Sequence, residues 1–166
     1  YADLRKAVET SDRIEFYRET TVVGWYKDHW LAAVRGTRLF KMRVQAVVVA
    51  TGAFETPLVF DNNDLPGVML GSAVQRLMHL YGVVPGKRAV VVAANDDGWN
   101  VAADLHAAGV QVAGVVDARA QSESPHVATL AGAGVPAFFR HTIIEARGKN
   151  GVDGATIAPI HALGEV

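Results

Sequence analysis

The second half of the chain alternates between two kinds of apolar pattern, and that alternation restricts the fold more than any other feature. Residues 89–93 form an unbroken apolar run, and residues 110–116, apolar or small apart from Gln111, form a second strand pattern that closes at Asp117. Between them, after a loop at 94–98, Val101, Leu105 and Ala108 recur at helical spacing until Gly109 stops the pattern. A second helical stretch is framed by Ser124 as cap, Pro125 in the first turn and Gly132 at the end. Further strands are expected at 137–139, 143–147 and 155–160, the last two joined across Asn150-Gly151. Near-continuous apolar runs suit strands covered on both faces, and a helix between two such runs is the connection that parallel strands need. From about Pro85 onward the sequence therefore predicts an α/β domain with a doubly wound parallel sheet and right-handed crossovers.

The first third reads differently. Tyr1 opens inside a helical pattern with Leu4, Ala7 and Val8 on one side, and with no initiating methionine the chain reads as an internal segment of a longer protein. Short strands are expected at 14–17, 21–26, 30–35 and 39–44, with Lys27-Asp28 as a turn, which together suggest a small antiparallel meander. Residues 46–50 are continuously apolar and predict a further buried strand that ends at Thr51-Gly52. A loop rich in Pro, Asn and Asp covers 55–67 and is the candidate interdomain crossing. After it, Ser72 and Gln75 suggest a capping box, Val74, Leu77, Met78 and Tyr81 share one helical face, and Gly82 marks the stop. This gives 1–57 as the C-terminal part of a first dinucleotide-type domain, 58–84 as crossing loop and helix, and 85–166 as a second, NAD(P)-type domain.

Composition narrows the function. The 166 residues carry 16 Lys and Arg against 17 Asp and Glu, with no basic cluster, so nucleic acid is not an expected partner. No apolar run approaches the roughly 20 residues that span a bilayer, and no signal pattern opens the chain, so a soluble cytoplasmic protein is expected and no membrane partner. With no cysteine, disulfides, thiolate nucleophiles and Cys-ligated metals are excluded for this segment.

The strongest chemical candidate is 89–117. In a dinucleotide-binding unit the first strand leads into G-x-G-x-x-G, because a pyrophosphate approaching the backbone tolerates no side chains, and an acid about 20 residues later holds the ribose hydroxyl. The three glycine positions read Ala93, Asn95 and Gly98, and the acid is Asp117. Asp96 and Asp97, just before or in the first turn of the following helix, favour its dipole but repel an incoming diphosphate. Two readings stand side by side. Asn95, Gly98 and Asp117 are nucleotide contacts, with Arg119 the residue to examine for a 2′-phosphate; or Asp96 or Asp97 is an ordinary N-cap and Asp117 a strand-end residue facing solvent.

Other patterns are weaker. Residues 82–88 resemble a phosphate loop, but the spacing before Gly86-Lys87 is short and Arg88 stands where Ser or Thr would hold magnesium, which leaves a turn. The six histidines show no metal spacing and no G-x-S-x-G elbow exists, so no metal ligand and no catalytic residue is assigned. Trp25, Trp30 and Trp99 are assigned to core or interface packing. Ala50-Thr51-Gly52-Ala53 with Pro57, between a meander and a nucleotide-type domain, looks like the return crossing of enzymes with two dinucleotide-binding domains, where small residues let the backbone pass close to a flavin or nucleotide.

These residues, with Asn62-Asn63-Asp64, Pro66-Gly67, Gly86-Lys87-Arg88, Asn95-Asp96, 104–110 and 115–119, resemble the alpha subunit of heterotetrameric sarcosine oxidase, and the alpha subunits of amino-acid and opine dehydrogenases are similar. The resemblance covers nearly the whole chain as a middle segment. It implies a Rossmann-like FAD/NAD(P)-binding fold within a system that demethylates sarcosine to glycine oxidatively, with folate taking the one-carbon unit. NAD and FAD or FMN would serve the full complex, and a beta-type subunit would hold the amine-oxidising flavin. Within this segment, Thr51 and Gly52 would line a dinucleotide bound mainly by other sequence, with Asn95, Gly98 and Asp117 as second-choice contacts. A fragment of an NAD(P)- and flavin-dependent reductase, and a non-catalytic assembly domain, are the alternatives. Disulfide-reductase chemistry needs cysteines that this segment lacks.

Overall fold

The computed structural model describes residues 2–161. The chain divides after Gly52 into two compact units.

In the first unit, helix α1 (Ala2–Thr10) precedes an antiparallel meander of β1 (Thr21–Tyr26), β2 (Trp30–Arg35) and β3 (Arg38–Arg43). β-Branched and aromatic residues dominate β1 and suit a pleated surface. A single 3-10 turn, Lys27–His29, joins β1 to β2, and Asp28 adopts φ 60° there, a conformation its short polar side chain tolerates. The register pairs Tyr26 with Trp30 and Trp30 with Arg43. Two expectations fail in this unit. Residues 14–17 form no strand, and neither do 46–50, where Val48 is 91% and Val49 69% exposed. An apolar run becomes a strand only when neighbours take its N–H and C=O groups, and no described strand pairs with this one.

The second unit carries the alternation. Helix α2 (Gly71–Tyr81) leads to β4 (Arg88–Ala93), α3 (Asp96–Ala107), β5 (Gln111–Asp117), α4 (His126–Gly132) and β6 (Ala137–Phe139). β4, β5 and β6 lie side by side in that order, all parallel. β7 (His141–Arg147) and β8 (Gly154–Pro159) then form an antiparallel hairpin. The α/β class with a parallel sheet is the one expected. α2 ends where Gly82 turns left-handed at φ 65° and its N–H bonds to the Met78 carbonyl.

The start of α2 corrects the sequence reading. Ser72 and Gln75 form no capping box: Leu70 is the N-cap residue and contributes no side-chain bond. The Glu55 carboxylate supplies the cap instead, accepting from Gly71 N at 3.0 Å and Ser72 N at 2.7 Å. Gln75 donates across to Asp104 at 2.8 Å. The crossing loop is tied down as well, since Asp61 N donates to the Ile144 carbonyl at 3.0 Å and Asn62 Nδ2 to the Ala146 carbonyl at 3.0 Å.

The core lies between the parallel sheet and its helices. Val91, Ala93, Val112 and Val115 meet Trp99, Val101, Leu105 and Leu130, and burying each large side chain is worth about 1.5–3 kcal/mol.

Candidate functional site

The carboxyl ends of β4 and β5 hold the residues with most chemistry. Ala93 pairs with Asp117 at the strand ends, and Ala118 N extends the ladder to the Ala93 carbonyl at 3.0 Å. The chain then turns into α3, which leans hard on β4. A Cβ added at Gly98 would stand 2.5 Å from the Ala93 Cβ, well inside van der Waals contact. Gly98 therefore does what the third glycine of a dinucleotide loop does, allowing close helix–strand packing.

Asn95 is the N-cap of α3. Its backbone is extended, and its Oδ1 accepts from Asp97 N at 3.1 Å. The expectation that Asp96 or Asp97 caps the helix is thus corrected: the amide side chain one position earlier reaches the free N–H, and the acids sit inside the first turn. The Asp96 carboxylate turns sideways, accepting from Ser122 Oγ at 2.8 Å and Arg119 Nη1 at 2.9 Å. Those two donors, the Ser122 hydroxyl first, hold its pKa below the ordinary aspartate value.

Asp117 is the second correction. It does not face solvent: its exposure is 0%. Oδ1 accepts from Arg119 N at 2.9 Å and Arg119 Nε at 3.1 Å, while Oδ2 accepts from Arg119 Nη2 at 2.8 Å and Trp99 Nε1 at 2.8 Å. Burial pushes the Asp117 carboxyl up, but the bonds from Arg119 and Trp99, with the guanidinium charge, outweigh it and leave the group below the usual range. Arg119, bonded to both Asp117 and Asp96, is held still more firmly protonated than an ordinary arginine. Trp99, 1% exposed, stacks on Phe139 with ring centroids 5.8 Å apart, as expected of a packing residue. Trp25 and Trp30 are not core residues, at 61% and 41% exposed in the meander.

The structure thus gathers Asn95, Gly98 and Asp117 around one sheet edge and adds Trp99 and Ser122, which the sequence reading leaves out, and Arg119, which that reading weighs only as a 2′-phosphate contact and not as a partner of Asp117. The signal for Arg119 was its position two residues beyond the acid, close enough for one side chain to fold back. Thr51 and Gly52 lie in the first unit, exposed, with Gly52 at φ 79° and nothing within 4 Å of where its Cβ would be. Among the described residues, no cluster of three or more His, Asp or Glu side chains could hold a metal ion, and no helix is long and apolar enough to cross a membrane.

No family model matches the sequence. Over 159 residues the chain is 36% identical to the alpha subunit of sarcosine oxidase from Corynebacterium sp. (strain P-1), a match that takes in 87% of this chain and 16% of that relative. The sarcosine oxidase alpha subunit of Rhizobium meliloti (strain 1021) is 34% identical over 131 residues, 70% of this chain and 13% of the relative. An opine oxidase subunit of the same organism is 34% identical over 97 residues, 58% of this chain and 19% of the relative. The chain spans less than a fifth of the length of each. Among solved structures, thioredoxin reductase of T. acidophilum superposes with a TM-score of 0.64 at 14% identity, over 99% of this chain and 54% of that one. That likeness establishes a shared Rossmann-like α/β fold and nothing more.

Proposed function

We propose, because this chain is homologous to a segment of sarcosine oxidase alpha subunits, that it is the nucleotide-domain segment of a flavin-dependent oxidoreductase that oxidises sarcosine or a related secondary amine at its CH–NH bond. In this reading residues 1–57 close a first dinucleotide-binding domain, 58–84 cross over, and 85–166 begin a second. FAD or FMN and NAD serve the whole complex, a beta-type subunit holds the amine-oxidising flavin, and the assembly works in the cytoplasm. The flavin would take the two electrons of amine oxidation.

No residue of this segment is given a catalytic role. Thr51 and Gly52, small and exposed, suit a backbone passing close to a dinucleotide that other sequence binds. The second domain acts as a support. The observation that carries this part is the state of Asp117: a dinucleotide needs a carboxylate with acceptor positions to spare, and all of those here are engaged inside the chain. Ala93 and Asn95 also keep side chains where the loop would have glycines. Asn95, Gly98 and Asp117 remain second-choice contacts.

The test is made on the intact complex. Sarcosine-dependent oxygen uptake with stoichiometric glycine formation is expected, together with no uptake when a primary amine replaces sarcosine. Turnover that requires NADH and ignores secondary amines would favour the reductase reading instead.

A further inference from the structure

The misfit between Asp117 and a bound dinucleotide has one removable cause. A carboxylate offers about four acceptor positions, and here each oxygen receives two bonds. One bond on each oxygen comes from the Arg119 side chain, Nε to Oδ1 at 3.1 Å and Nη2 to Oδ2 at 2.8 Å. A ribose presents two neighbouring hydroxyl donors, and in this kind of fold the acid at the end of the second strand receives the 2′-hydroxyl. We propose that the Arg119 side chain is a built-in occupant of the ribose position, an autoinhibitory contact that closes a latent adenosine-ribose site on Asp117. The inference rests on the support reading of the second domain and goes beyond it by naming what keeps the site shut.

The surroundings retain the shape such a site requires. Asp117 lies beside Ala93 at the carboxyl edge of parallel strands, and α3 approaches that edge as closely as Gly98 permits. Without the Arg119 side chain, Arg119 N and Trp99 Nε1 still hold one lone pair on each oxygen, so the carboxylate stays oriented and two acceptor positions open together. The occupant also has somewhere to go. Its side chain is 33% exposed, and its Nη1 is already bonded to the 51% exposed Asp96 carboxylate, which Ser122 steadies from the other side. Turning outward exchanges the buried counter-charge for the exposed one and never strands the guanidinium alone.

The test uses the intact subunit that carries this chain, with ADP-ribose as the probe and equilibrium dialysis to count sites. Arg119→Ala is expected to bind one more equivalent of ADP-ribose than wild type, at least about tenfold tighter than any wild-type binding at this position, because two bonds to a charged acceptor are gained. Adding Asp117→Asn should abolish the extra equivalent. Arg119→Gln, which leaves a neutral donor near the carboxylate, is expected to show the same extra site more weakly. If both Arg119 variants melt as folded proteins and neither gains a site, the inference fails while the support reading stands. It fails equally if neither folds, for then Arg119 is a structural member and no occupant. Wild-type binding that Asp117→Asn removes would overturn the support reading itself.

Discussion

Replacing Gly98 by alanine measures how much of the second unit depends on one close approach. The new Cβ would lie 2.5 Å from the Ala93 Cβ and 3.1 Å from its Cα, whereas carbon atoms pack at about 3.5–4.0 Å. Relief requires α3 to move off β4 by roughly 1 Å, against a core that includes Trp99, Val101 and Leu105. Overpacking of this kind costs about 1–3 kcal/mol. Alanine returns up to about 1 kcal/mol through helix propensity, less in a first turn. The net expectation is a loss of about 1–2 kcal/mol. Urea unfolding followed by Trp99 fluorescence, with the exposed Trp25 and Trp30 changed to Phe, should show the midpoint falling by roughly 0.5–1 M. Ala93→Gly removes the opposing methyl, so the double variant should recover about 1 kcal/mol in a mutant cycle. A Gly98→Ala protein as stable as wild type, or a cycle with no coupling, would refute the claim that the approach of α3 to β4 is what demands glycine here.

Three further outcomes follow from the same contacts. Trp99→Phe keeps the stack on Phe139 but leaves Asp117 one donor short, and thermal unfolding should report a loss of about 1–3 kcal/mol. Glu55→Ala frees the Gly71 and Ser72 amides and should cost about 0.5–2 kcal/mol, with exchange at those two amides accelerating before any others in α2. Asp117 and Glu55 both have lowered pKa values in the folded chain, Glu55 because the Ser72 and Gly71 donors outweigh its burial. Their stabilisation is therefore complete above the unfolded carboxylate pKa of about 4 and disappears as pH falls through the lower folded values. A urea midpoint that is flat from pH 7 to 5, drops below pH 4, and drops less steeply in Glu55→Gln is the expected profile.

The parallel sheet was legible because its signals are local. Residues 89–93 are apolar throughout, 110–116 are apolar or small apart from Gln111, and the helix between them announces itself by spacing, so β4, α3 and β5 fall within a few residues of expectation. The misses turn on side-chain partners that no apolar pattern reports. Ser72 resembles a cap, yet Glu55 does the capping from 16 residues upstream, a distance at which no pattern of neighbours can speak. Asp117 looks like the solvated end of a strand until Trp99 and Arg119 are seen to close over it. The start of α3 is a different case, for its cap is local: Asn95 Oδ1 accepts from Asp97 N two residues on, a role that reading Asn95 as a glycine substitute passes over. Residues 46–50 have the composition of a buried strand, but composition does not supply a neighbour to pair with.

Those five residues also bear on handling. Val47, Val48 and Val49 are β-branched, uncharged and free of proline, and they have no ladder partner among the described residues. Such a stretch is a template for another copy of itself. Purified alone and concentrated, the chain is expected to precipitate through this stretch, and a lysine at Val48, whose side chain stands open to water, should raise its solubility while leaving the parallel sheet untouched.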